Sequence, residues 1–127
     1  MINFGEIFFC EKVIHNPDGS PFSFVNRFSS VKVEIYPYLF GCTIVIDKII
    51  HSEPLHHLIS IRIRNPDGEN IFESAPRPLI SDSPTGSSRE FGFFSQLPEI
   101  EIPEPGRYTV EILLNDVVRH REFLSFT

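Results

Sequence analysis

The chain has no tryptophan, a single methionine and only two cysteines among its 127 residues. Two cysteines cannot supply a disulfide framework, and Cys10 and Cys42 lack the Cys-x-x-Cys spacing of a redox or zinc motif. Both lie in apolar, strand-like segments and are expected to be buried free thiols. Helical periodicity is missing as well, and no apolar run approaches the roughly 20 residues of a membrane-spanning helix. Positive charge is scarce: 11 Lys and Arg face 17 Asp and Glu, a formal net charge of −6. That balance has the wrong sign for attachment to nucleic-acid phosphates or anionic lipid, so neither nucleic acid nor membrane is an expected partner. The opening residues, Met1-Ile2-Asn3-Phe4-Gly5-Glu6, contain no basic region ahead of an apolar stretch, so a cytoplasmic location is expected. No Gly-x-Ser-x-Gly turn occurs, and Pro84-Thr85-Gly86 before Ser87 and Ser88 lacks the lysine and glycine spacing of a phosphate-cradling loop. Glu99 and Glu101 alternate with Ile100 and Ile102, the pattern of a strand's wet face rather than of an acid and base pair. Neither an enzyme nor a cofactor is expected from these absences.

What remains is β chemistry. Ile, Val, Phe, Tyr and Thr dominate the apolar set, types that fit a pleated, half-buried surface. Ile59, Ile61 and Ile63 alternate with Ser60, Arg62 and Arg64, and Asn65-Pro66-Asp67-Gly68 follows at once, which predicts a strand entering a tight turn. Pro66 presets the first central position, Asp67 suits the second, and Gly68 supplies a positive φ before Ile71 and Phe72 begin the return. The same tetrapeptide occurs as Asn16-Pro17-Asp18-Gly19, but its flanks differ, so one good turn is used twice without an internal duplication. Residues 39–50 form a third strong segment. Tyr108, Val110, Ile112 and Leu114 alternate with Thr109, Glu111 and Leu113 before Asn115 and Asp116 turn the chain into a last strand. Residues 74–88, with Pro76, Pro78, Pro84 and Gly86, predict a long surface loop or a ragged edge.

A single exposed sheet cannot hide 13 phenylalanines. The expectation is therefore an all-β, immunoglobulin-like antiparallel two-sheet sandwich of about seven or eight strands, in one domain over residues 1–127. Pro103-Glu104-Pro105-Gly106-Arg107-Tyr108 agrees, because a Pro-Gly corner leading into a tyrosine-bearing strand is common where such chains cross between sheets.

In order along the chain, residues 8–14, Pro17-Asp18-Gly19, Val25-Asn26-Arg27-Phe28, Ile61-Arg62-Ile63-Arg64-Asn65-Pro66-Asp67-Gly68 and the proline-rich corner with its final hairpin resemble a known family. It comprises small, uncharacterised bacterial β-sandwich proteins grouped as a domain of unknown function. The resemblance covers most of the chain and consists chiefly of turn chemistry. It implies the sandwich, and it brings no catalytic residues.

Residues able to carry chemistry are few. His51, Glu53 and His57 are candidate metal ligands if residues 51–57 form a turn that brings His51 and His57 face to face; a solvated polar loop is the plainer reading. Asp18, Asp67 and Asp116 read as turn formers rather than calcium ligands. Arg62, Arg64 and Arg119 are candidates for contact with an acidic partner, against a plainer reading in which Glu111 pairs with Arg121 across the last hairpin. Tyr36 and Tyr38 flank Pro37 and are candidate exposed aromatics, although a chain with three tyrosines and no tryptophan makes a poor sugar platform. The leading expectation is a non-enzymatic interaction or structural module acting through its sheet edges, with an unidentified protein or a second copy as partner. The alternative is a small-ligand or metal-binding sandwich using residues 51–57.

Overall fold

Alternation, turns and irregularities in the pleat decide how these segments assemble. A computed structural model describes residues 2–14, 23–81 and 89–127, with the side chains of 89 and 90 excepted. The described residues form fourteen strands and no helix, so no helix is long and apolar enough to cross a membrane.

One sheet is centred on β7 (Thr43–His51), with β1 (Ile2–Phe4) and β2 (Ile7–Cys10) along one side and β11 (Arg89–Gln96) along the other. β1 and β2 keep a single register, since Ile2 lies opposite His51 and Ile7 opposite Ile46. The second sheet runs β10 (Arg77–Ser81), β8 (Leu55–Arg64), β13 (Gly106–Leu114), β14 (Val117–Phe126) and β5 (Ser30–Val31), with β9 (Asn70–Glu73) also on β8. Two small pairs complete the set: β6 (Tyr38–Phe40) with β12 (Ile100–Ile102), and β3 (Lys12–Ile14) with β4 (Ser23–Val25).

The inner faces share one core. Phe9, Ile44, Ile46 and Ile49 of the first sheet meet Ile59, Ile61, Ile63, Tyr108, Ile112 and Phe126 of the second. Val45, Phe8 and Cys10 form a smaller cluster together with Val13 and Phe94, and Phe24 of β4 sets its ring edge-on to Phe8 at 5.0 Å. The sandwich expectation holds. Its seven or eight strands appear as fourteen segments because long apolar runs are interrupted, as at Gly41 between β6 and β7. One pairing departs from the antiparallel pattern: β5 lies parallel to β14.

The corners follow their residue chemistry. Gly68 has φ 86°, and the Asn65 side-chain oxygen accepts from the amides of Asp67 and Glu69 at 3.0 and 2.9 Å. Asn115 and Asp116, at φ 50° and 65°, make the primed turn that matches strand twist. Tyr108 is fully buried and donates its hydroxyl to the Glu104 carbonyl at 2.7 Å, the tyrosine corner of immunoglobulin-like sandwiches. Residues 77–81 of the proline-rich stretch form edge strand β10, the edge alternative of the two expected there. An edge position tolerates Pro78, which has no N–H to give. The Asn16 to Gly19 turn, Asp18 and residues 82–88 lie outside the described residues.

Cys10 and Cys42 are both free and buried. Burial pushes the Cys42 thiol up to about 12, with neighbouring Cys10 adding to the shift, which suppresses the reactive thiolate. A thiol-specific disulfide reagent is expected to find no fast-reacting group in the native chain and both cysteines after unfolding in guanidinium. Rapid native labelling would contradict this burial.

Candidate functional site

Two surfaces gather chemistry, and each depends on where strands end or slip. The first is an open side of the sandwich. The outer edge of β1 and β2 has no strand partner over residues 2–8 among the described residues; its neighbour on that side is Phe28, bridged to Phe9. Facing it, β14 meets β5 only at Ser125 and Phe126, so residues 117–124 are likewise unpaired on that side among the described residues. Between these edges lies a groove of about 600 Å³, whose lining includes Ile7, Phe8, Arg27, Phe28, His120 and Phe123. Arg27 pairs with Glu6 and stacks over the Phe8 ring at 4.1 Å. Across the groove His120 meets Glu122 at 2.8 Å. The opposite side of the sandwich is closed, because Arg77 of β10 lies 4.7 Å over the Phe93 ring of β11 and donates to the Phe94 carbonyl at 3.5 Å.

The second surface is a pocket of about 280 Å³ lined by Ile2, His51, Glu53, Leu55, His57 and Arg119, among others. Plain alternation from Ile44 and Ile46 would send His51 to the outer face. Asp47 and Lys48 together oppose Gly92, a one-residue bulge that inverts the alternation and turns Ile49 and His51 inward. A Cβ at Gly92 would stand 3.4 Å from the Asp47 carbonyl oxygen, an ordinary contact, so the bulge does not depend on glycine for space. His51 is 1% exposed. Its Nδ1 donates to the Glu53 carbonyl at 2.6 Å, while its Nε2 and the Nδ1 of His57 are buried without a hydrogen-bond partner among the described residues.

The turn that would set His51 and His57 face to face across a hairpin is not formed, because β7 and β8 belong to different sheets and residues 52–54 carry the chain from one layer to the other. His51 and His57 nevertheless line one pocket. Among the described residues, no three His, Cys, Asp or Glu side chains are placed to hold a metal ion.

The arginine expectation is corrected in part. Arg62 and Arg64 are engaged within the sheet and not offered to a partner: each donates its Nε to Glu111 Oε1 at 2.8 Å, and Arg121 donates to Oε2 at 2.9 Å. The cause is position, since Glu111 lies between Arg62 of β8 and Arg121 of β14 on the outer face. Arg119 differs. It is the extra residue where β14 slips against β13, is exposed, and lines the pocket. Tyr36 and Tyr38 are half-buried and pack against the core, with the Tyr36 hydroxyl donating to the Thr127 carbonyl at 3.3 Å. They are not the exposed aromatics expected from the sequence. The open edges and the bulge were missed as particular places, because alternation reveals strands but neither their neighbours nor an inserted residue.

The sequence profile of the DUF6941 family, a family of unknown function, matches residues 6–126. The chain belongs to that family. No curated protein sequence matches it. Among solved structures, an alkylpurine DNA glycosylase from Pseudomonas fluorescens, bound to DNA containing an abasic-site analogue, is similar at 9% identity and TM-score 0.49. That likeness covers 78% of this chain and only 27% of the glycosylase chain. An immunoglobulin-like protein from Pseudomonas aeruginosa is similar at 9% identity and TM-score 0.45, over 100% of this DUF6941 chain and 97% of its own.

Proposed function

We propose that the protein is a non-enzymatic interaction module that accepts an extended segment of a partner protein along its β1–β2 edge. The carrying observation is the edge at residues 2–8, unpaired among the described residues, running beside the 600 Å³ groove. An edge strand presents free amides and carbonyls, and an added strand gains affinity from main-chain hydrogen bonds and specificity from alternate side-chain pockets. Phe8, Phe28 and Phe123 offer apolar contact for the inward-facing side chains of such a segment. The pairs Arg27–Glu6 and His120–Glu122 place both signs of charge along the groove, which suits a peptide better than a polyanion. A cytoplasmic setting agrees with two thiols held free and unpaired.

The test is selection of displayed random peptides on the full chain, followed by amide hydrogen exchange with the selected peptide. Saturable binding should add protection at residues 2–8 and should weaken at least tenfold in Ser29→Trp, which fills the groove from an exposed position. Protection elsewhere, or a dimer closed through this same edge in solution, would overturn the reading.

A further inference from the structure

The pocket between the start of β1, the crossover after β7 and the bulge in β14 shares no lining residue with the groove, so it stands apart from the edge reading. We infer that this pocket binds the phosphate group of a small ligand.

The argument begins with the tautomer of His51. A carbonyl only accepts, so the Nδ1 that faces the Glu53 oxygen at 2.6 Å carries the proton. In the neutral ring Nε2 then carries a lone pair, in a residue 1% exposed, with no donor among the described residues to meet it. A buried polar atom without a partner is costly and uncommon in native folds. The buried Nδ1 of His57 stands in the same condition in the same pocket.

Arg119 supplies the charge. Its guanidinium makes no ion pair with any described residue, in contrast to Arg62, Arg64 and Arg121, which share Glu111. Bulges often re-aim a side chain beside a functional site, and Arg119 is the bulged residue. The planar fork of arginine matches the oxygens of a phosphate, which accepts two parallel N–H bonds.

These groups select among anions. The lone pair of His51 calls for a ligand that also donates, and the Glu53 carboxylate beside the pocket disfavours excess negative charge. A singly protonated phosphate or phosphomonoester satisfies both, accepting from Arg119 and donating its own O–H to His51 Nε2. A carboxylate or a sulfate has no proton to give near neutral pH. A metal ion would meet two ring nitrogens and a facing guanidinium. The volume of about 280 Å³ leaves space beyond the phosphate for a small organic group.

Long-range nitrogen–proton NMR of the histidine rings, with the folded full chain at neutral pH, tests this directly. Inorganic phosphate, glycerol phosphate, sulfate and zinc chloride are the probes. Phosphate or glycerol phosphate should shift the ring nitrogens of His51 and His57 saturably, and sulfate should bind at least tenfold more weakly. Tighter binding of glycerol phosphate identifies a monoester as the ligand type, and tighter binding of inorganic phosphate identifies the free ion. In Arg119→Gln, an exposed substitution that leaves the core intact, phosphate affinity should fall about tenfold or more, as loss of a charge-assisted pair implies. Rings that ignore both phosphates, equal response to sulfate, or a response to zinc alone would overturn the assignment.

Discussion

Replacing Glu111 with glutamine is expected to destabilise the fold by about 3 kcal/mol at neutral pH, toward the lower end of what breaking a buried ion pair costs. The Glu111 side chain is 3% exposed and its partners Arg62, Arg64 and Arg121 are 18%, 34% and 60% exposed. Arg121 can return to water, but Arg62 cannot do so without leaving the sheet surface, which is why the loss exceeds that of a surface pair. The same cluster sets a pH dependence. Burial alone would raise the Glu111 pKa, but hydrogen bonds from Arg64, Arg62 and Arg121 overcome it and hold the carboxyl down at about 2, against an ordinary 4.5. The unfolded chain therefore takes up this proton first as the solution is acidified. The stabilisation is complete above about pH 4.5 and is lost as the pH falls through about 2. Urea unfolding of both proteins across this range checks the account: the gap between them should be full at pH 7 and shrink steadily toward pH 2. A constant gap, or equal midpoints at pH 7, would show that the three arginines do not depend on this carboxylate.

Gly106→Ala should cost about 2–4 kcal/mol, a sum of backbone strain and forced displacement. Gly106 has φ 142°, a region that side chains rarely enter. A Cβ there would stand 2.5 Å from Cγ and 3.3 Å from Cβ of Pro66. The corner before Tyr108 thus presses against the turn that closes β8, so two motifs distant in sequence form one contact. Thermal unfolding of Gly106→Ala, Pro66→Ala and the double variant separates the causes. Removing the proline ring should recover the steric share and leave the backbone share in place. A melting temperature unchanged by Gly106→Ala would refute both.

Much of the scaffold is legible because its signals are local. Ile59, Ile61 and Ile63 alternate without interruption and all three are buried, and Asn65 to Gly68 carries its turn in its own side chains. Tyr108 announces the corner. The site is less legible because it depends on non-local facts. No composition rule shows that β7 and β8 lie in opposite layers, so residues 51–57 read as a solvated loop or a tight turn rather than as a crossover between sheets. Arg62 and Arg64 look available until Glu111, nearly fifty residues away, is seen to lie between the same strands. The unpaired edge of β1 and β2 follows from which strands are neighbours, and alternation carries no information about that.

The inserted residue opposite Gly92 works as a reading-frame shift in the pleat. Removing either Asp47 or Lys48 would abolish the bulge yet leave Ile49 and His51 on the inner face, now in unbroken alternation with Ile44 and Ile46. A family member one residue shorter between the equivalents of Ile46 and Ile49 would thus keep the layered scaffold and the inward histidine, whereas a pleat running through Asp47 and Lys48 without the bulge would put Ile50 inside and the imidazole outside. The polar mouth thus depends on the irregular pairing opposite Gly92, and that pairing, more than the presence of a histidine, is the feature to compare across relatives.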